Sequence, residues 1–162
     1  MTMRKRIRGL LPRVAISMLS IGLEAAGALH PPQTQAERAL DRIMHVADKD
    51  DQVLDNLFHR NPIPAADRVD YGKYLLPALL RSLNDEQLKL VKDDCGGHYR
   101  SGELCGMDYN PLTCAQDDVT PQTYSTTAQT SDSAVIIDSR SDVYTMVRLQ
   151  SVWKLGSVAC KF

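Results

Sequence analysis

The fold is decided by residues 135–155, VIIDSRSDVYTMVRLQSVWKL. The stretch begins with an apolar run at 135–137, and apolar and polar side chains then alternate from 143 to 149. Alternation with a period of two is typical of half-buried β-strands, and a short apolar run is typical of a strand buried on both faces. We therefore predict strands at 135–137, 143–149 and 152–160, preceded by one at 120–128.

The residues before these strands show helical periodicity instead. Apolar side chains recur every three or four positions over 34–60, and the acidic stretch at 48–51 is predicted to bend or divide this helix. A second apolar stripe covers 69–83, where Pro77 predicts a kink or the start of the last turns. Asn84 is a candidate N-cap for a short third helix. Helices followed by strands predict an α+β domain, with N-terminal helices packed on a C-terminal antiparallel meander that forms a curved sheet.

The first 28 residues have the order of a secretory signal. A basic start is followed by an apolar stretch at 14–23 and by small residues, among which Ala26 and Ala28 fit the usual cleavage pattern. A membrane anchor is the alternative, but a span needs about 20 apolar residues and this stretch is half as long. We predict a signal peptide at 1–28 and a single α+β domain at 29–162.

Export changes how the four cysteines, Cys95, Cys105, Cys114 and Cys160, are interpreted. In an oxidising compartment four thiols in a small domain suggest two disulfides, for which three connectivities are possible. The short separation of Cys95 from Cys105 favours a local bridge, and Cys114 would then pair with Cys160. Zinc is the rival explanation, but the chain has no CxxC or HxxxH spacing, so no metal site is predicted.

The charge of the domain after the leader limits its partners. The whole chain holds 19 basic and 20 acidic side chains, and the leader holds five of the former and one of the latter. The remainder is 14 basic against 19 acidic, a net charge of −5. Binding to nucleic acid or to an anionic membrane needs clustered cations, so neither partner is expected.

Patterns that would indicate catalysis are absent from the sequence. All four histidines precede residue 99, so Cys105 and Cys114 have no later histidine as a base. Cys95 and His98 are close, but they flank a pair of glycines, and a disulfide would consume the nucleophile. No G-x-S-x-G motif and no phosphate-binding glycine pattern occur. We predict no enzyme activity, no catalytic residues and no cofactor.

The segment between 95 and 118 is the candidate contact surface. It has little periodicity of either kind and is rich in Gly, Asp, Tyr and Cys, as expected of a loop held by disulfides. Aromatic and charged side chains on a rigid loop are typical of protein-binding hot spots. The alternative is that the tyrosines cap the edge of the core. The candidate partner-binding residues are Tyr99, Arg100, Glu103, Asp108 and Tyr109.

Four short motifs resemble a known family. They are YLLPALL at 74–80, DYNPL at 108–112, QD at 116–117 and VWKL at 152–155. Together they resemble exported bacterial domains of unknown function, over residues 36–160. The resemblance implies the α+β class of nuclear transport factor 2 and the cystatins. The last strand reads LGSV at 155–158 where that family has a polar, Asp-containing ending, so no ligand site or catalytic residue is carried over.

The domain is also similar in type to the immunity proteins of type VI secretion systems, which bind cell-wall amidases in the periplasm. This similarity implies a periplasmic protein that inhibits a partner, here a basic peptidoglycan hydrolase, without being an enzyme. The alternative is a periplasmic carrier that holds a small ligand between the curved sheet and the helices. The two hypotheses predict different features: an exposed rigid loop in the first, a pocket in the second.

Overall fold

The computed structural model describes residues 27–99, 105–116 and 122–161. Three helices are followed by four strands, which confirms the predicted α+β architecture. The predicted signal peptide lies outside the described residues, apart from its last two positions. No helix in the described part of the chain is long and apolar enough to cross a membrane. The elements are α1 (Gln35–Asp48), α2 (Val53–Phe58), α3 (Pro77–Cys95), β1 (Tyr124–Gln129), β2 (Ser133–Asp138), β3 (Val143–Leu149) and β4 (Val152–Ala159).

Helix α1 begins with a capping box. The Thr34 hydroxyl accepts a hydrogen bond from the Glu37 N–H, and the Glu37 carboxylate accepts one from the Thr34 N–H. This arrangement satisfies backbone donors that would otherwise lack partners at the start of a helix. The helix ends at Asp48, and the acidic turn separates it from α2 as the sequence predicts. Helix α2 ends at Phe58, and the φ of 52° at the following residue, His59, turns the chain away.

Helix α3 is longer than the sequence predicts, because the separate helix capped by Asn84 does not exist. Pro77 occupies the first turn of α3, where its missing N–H costs nothing, and the helix continues through Asn84 to Cys95. Leu83, Gln87 and Val91 share its buried face, and their burial outweighs the weak helix propensity of one asparagine.

The four strands form an open antiparallel meander in the order β1-β2-β3-β4. Strand β1 begins at Tyr124, four positions later than predicted, and register shifts interrupt β1–β2 and β3–β4. Such bulges bend a sheet and increase its twist. The first shift lies between Thr126 and Ala128, and the second lies opposite Gly156.

Short bridges cover both edges of the sheet. His30 exchanges two backbone hydrogen bonds with Tyr124 on the β1 side. On the β4 side Leu155 donates to the Tyr74 carbonyl and accepts from the Leu76 N–H, each at 2.9 Å. Unpaired edges can pair with other chains, and these contacts remove part of each edge.

One face of the sheet packs against α1 and the start of α3. The largest fully buried side chains come from both layers, so the interface is filled by protein atoms. Trp153 is partly buried against this cluster, on the same side of β4 as Leu155. The fully buried members are Leu40, Leu75, Leu112, Tyr124, Ile136, Tyr144, Met146 and Leu155.

Candidate functional site

Two disulfides hold the segment that contains the candidate contact residues. Cys95 pairs with Cys105 and Cys114 with Cys160, with Cα–Cα distances of 5.8 and 5.4 Å. This is the pairing that the short first spacing favours. The described residues contain no free cysteine. Disulfides persist in oxidising compartments, so both bridges agree with an exported protein.

Gln87 fastens the first half of this segment to α3. Its side chain is 1% exposed, its Oε1 accepts from the Met107 N–H at 2.8 Å, and its Nε2 donates to the Tyr99 hydroxyl at 2.9 Å. Gly106 has a φ of 86° and leaves no room for a Cβ, which would lie 2.2 Å from the Gln87 amide nitrogen. Its N–H also donates to Asp94. These contacts fix the position of Gly106 and Met107 against α3.

Asn110 fastens the second half to α1. Its Nδ2 donates to the Ala47 carbonyl at 2.9 Å, and its Oδ1 accepts from the Leu112 N–H at 3.0 Å. Its N–H donates to the Ala115 carbonyl, and its carbonyl accepts from the Cys114 N–H. A tight turn at 110–115 results, and it directs Asp108 and Tyr109 toward the space beside α1.

Tyr99 sits at the outer end of the segment, 44% exposed. The guanidinium of Arg60 lies over its ring, 4.7 Å from the centroid. This cation–π contact links the segment to the connection that follows α2. Arg60 is a residue that the sequence analysis missed, since nothing in the sequence indicates that residues 60 and 99 meet.

Asp108, Tyr109 and Arg60 line one cleft of about 550 Å³. Its other wall is the end of α1, the acidic turn and the start of α2, residues 47–48 and 50–55. The cleft therefore joins two regions that the sequence analysis treated separately, the acidic turn and the candidate loop. Arg100 and Glu103 lie outside the described residues.

Tyr109 is half-buried in this cleft. Burial raises the pKa of its hydroxyl, and the carboxylates of Glu86 and Asp108 raise it further. The phenol therefore stays neutral at physiological pH. The exposed Asp108 carboxylate accepts a hydrogen bond from Gln116 Nε2 at 3.2 Å. The Asp108 side chain is thus held by a hydrogen bond at the surface, and Tyr109 beside it is partly exposed.

The other buried charges serve the fold. Arg140 bridges Asp138 and Asp142 at 3.3 and 3.2 Å, and both carboxylates are 2% exposed or less. Burial raises the pKa of Tyr144, and Asp138, to which its hydroxyl donates, raises it further. These groups lie at the β2–β3 turn, and Arg140 also donates to the carbonyl of Thr113, which lines the cleft.

No three His, Cys, Asp or Glu side chains converge closely enough to hold a metal ion within the described ranges. The aspartates of the cleft are thus spread around it and do not meet at a point. What the cleft offers is a dispersed negative wall with one aromatic side chain.

No protein-family model, curated protein or solved structure matches the chain. The resemblance to exported domains of unknown function therefore stays a prediction, as does the similarity in type to immunity proteins.

Proposed function

We propose that this chain is a periplasmic, non-enzymatic binding protein that inhibits a partner protein, a peptidoglycan hydrolase with a basic surface. In this role it resembles an immunity protein. The contact surface is the segment around Tyr99, Asp108 and Tyr109 together with the adjoining cleft.

The observation that carries this proposal is that the described parts of the loop, 95–99 and 105–116, are fastened to the helices and carry accessible side chains. A disulfide, Gln87 and Asn110 each fasten it to a helix or to the rest of the chain. Ordering an interface on binding lowers affinity, so a loop that is ordered beforehand binds more tightly. Tyr99 and Tyr109 are rigid aromatic side chains of the kind that dominate binding energy.

Charge supports the choice of partner. The domain after the predicted leader carries a net charge of −5, and several of its aspartates line the cleft beside the loop. Opposite charge on a partner accelerates association and excludes partners of like charge. A cationic hydrolase would be favoured on both counts.

Co-purification tests the proposal. The protein without residues 1–28 is tagged, captured with the product of the neighbouring gene, and added to a peptidoglycan-hydrolysis assay. We expect a stable complex and lost hydrolysis. A hydrolase that neither binds nor slows, tested with oxidised protein, would contradict the proposal.

Two variants locate the contact. Tyr109→Ala should weaken the complex by about 30-fold, as a central aromatic hot spot does. Leu149→Ala is the matched control, because Leu149 is 47% exposed at the tip of the β3–β4 hairpin. Melting temperatures measured in parallel separate lost contact from lost stability. Equal weakening by both variants would place the interface elsewhere.

A small-ligand carrier is the second candidate, and one observation favours it. A cleft of about 870 Å³ lies between residues 56–72 and the middle of α3, lined by Leu57, Ile63 and Leu80 among others. It differs from the predicted site, since the strands contribute no residue to its wall. A thermal-shift screen of small apolar and amphipathic compounds tests it, with Leu80→Trp as the variant that should abolish any shift.

A further inference from the structure

The outer face of the sheet, which points away from the helices, is apolar. The inward side chains of β2 and β3, such as Ile136 and Met146, are fully buried, so their neighbours along each strand point outward. These outward residues are half-buried and pair directly across the two strands: Ile137 with Val143, Val135 with Thr145, and Ser133 with Val147. Antiparallel sheets with one solvated face usually carry polar side chains on it, and this sheet does not follow that pattern.

Charge is nearly absent from this outer face. Among the outward residues of the four described strands, Lys154 alone is charged. Its ammonium donates to the Gly72 carbonyl at 2.6 Å, in the segment that borders β4. Val152 lies two positions earlier on the same face and is 54% exposed. A contiguous apolar surface on a domain of this kind marks a contact with another molecule.

The helices and the candidate contact surface belong to the other side of the sheet. The core cluster joins α1 and α3 to the inward side chains of the strands. The cleft beside the loop is lined by residues between 47 and 61 and between 108 and 116, and no strand contributes to it. A molecule on the outer face would therefore leave the loop and the cleft accessible.

The chemistry of the outer face favours a second copy of this chain as its occupant. Each copy without the leader carries a net charge of −5, so two copies repel where their charged surfaces meet. An uncharged apolar face avoids this repulsion and is complementary to itself, as the shared surface of a two-fold dimer must be. Thr145 lies near its middle, between Val135 and Ser157. A hydroxyl both donates and accepts, so two copies of Thr145 can pair across the two-fold axis.

The size of the face sets the strength of such a dimer. Four strands about 4.8 Å apart, each about six residues long at about 3.3 Å per residue, form a face of about 19 by 20 Å. Two such faces remove roughly 800–1,000 Å² from water, which is less than the roughly 1,200 Å² of the smallest stable interfaces. The area therefore predicts a reversible dimer, with a dissociation constant of roughly 10–200 µM.

We propose that two copies of this chain form a weak two-fold dimer through the outer faces of their sheets, which pack as a sandwich about 10 Å apart. Val135 and Val147 of each copy lie in the interface around Thr145. The dimer does not depend on the proposed inhibitor function. If both hold, each dimer presents two contact surfaces for the hydrolase, because the loop and the cleft lie on the other side of each sheet.

Sedimentation velocity of the oxidised protein without residues 1–28 tests the dimer. We expect a monomer at about 5 µM and mostly dimer at about 1 mM. Raising the salt from about 50 to about 500 mM should strengthen the dimer, because it screens the repulsion between two acidic copies. A monomer at about 1 mM, or an association that salt weakens, would overturn the proposal.

A double variant locates the interface. Val135→Thr with Val147→Thr keeps two good strand formers, so the fold should persist and the melting temperature checks this. The dimer should weaken at least about tenfold, because four hydroxyls would be buried without assured partners. Leu88→Gln is the control, since Leu88 is 55% exposed on α3, outside the sheet. Equal weakening by the control would mean nonspecific association and would overturn the proposal.

Amide chemical shifts followed over the same concentrations give an independent location. We expect concentration-dependent shifts at Val135, Thr145 and Val147, and none at Asp108 and Tyr109. Shifts confined to the loop would place the contact there and overturn the proposal. A chain that stays monomeric, with outer-face shifts only when a hydrolase is added, would assign this face to the hydrolase and overturn it as well.

Discussion

Replacing Gln87 with methionine tests whether α3 holds the loop in place. The side chain is buried and makes two hydrogen bonds to the loop, one from the Met107 N–H and one to the Tyr99 hydroxyl. Methionine has a similar volume and shape, so the substitution removes both hydrogen bonds and leaves little empty space.

The expected loss of stability depends on the two loop groups that lose their hydrogen-bond partner. The Met107 N–H would be left buried without a partner, which costs about 1–3 kcal/mol. The Tyr99 hydroxyl belongs to a side chain that is 44% exposed, so water can replace its lost donor. We expect Gln87→Met to lower the free energy of unfolding by about 2 kcal/mol and Tyr99→Phe by less than about 0.5 kcal/mol.

Urea unfolding of the oxidised protein, followed by circular dichroism, measures both losses. Hydrogen exchange at the Met107 amide provides a local readout, and it should accelerate in Gln87→Met alone. A loss below about 0.5 kcal/mol, or equal losses in the two variants, would refute the argument that Gln87 fixes the loop.

Three further predictions concern stability. Burial raises the pKa of Glu37, but the hydrogen bonds that its carboxylate accepts outweigh burial and lower the pKa overall. Its contribution is therefore present above the ordinary pKa of a glutamate and lost as pH falls through the lowered one, so Glu37→Gln should flatten the acid limb of unfolding free energy against pH. Ser151 has a φ of 73°, so Ser151→Gly should stabilise by about 1 kcal/mol, and Ser131→Gly, where φ is not positive, should not. Replacing Cys114 and Cys160 together by serine opens a loop with a sequence separation of 46 and should cost about 4 kcal/mol in urea unfolding.

Each of these has a clear contrary outcome. Parallel pH profiles for the wild type and Glu37→Gln would show that the buried carboxylate does not titrate with folding. Equal effects of the two glycine substitutions would remove backbone strain as the reason. A loss below about 1 kcal/mol in the serine pair would mean that the unfolded chain is already restricted near the bridge.

Periodicity in the sequence was sufficient to predict the fold class but not the length of α3. The alternation over 143–149 specifies a strand on its own, because every second side chain must face the core. Pro77 and Asn84 can each indicate either the start of a helix or a break in one. The burial of Leu83 and Val91 against other segments decides between them, and a local pattern does not contain that information.

The candidate site was predictable where composition carries the information. The richness of the loop in tyrosine and acids indicated Asp108 and Tyr109, and both line the cleft. Arg60 was not predictable, because its contact with Tyr99 joins segments far apart in the chain. The sequence contains one indication of the role of Gln87. This polar residue lies four positions after Leu83 and four before Val91, where the helical pattern would place an apolar residue.

The bridge between Cys114 and Cys160 encloses all four strands in a covalent ring, while the helices lie outside it. A single cut by a protease at any hairpin turn would therefore release no fragment, and both halves of the sheet would stay in one molecule. Such a nicked protein would migrate at full size without reducing agent and as two pieces with it. The ring therefore keeps the four strands together after a single cut.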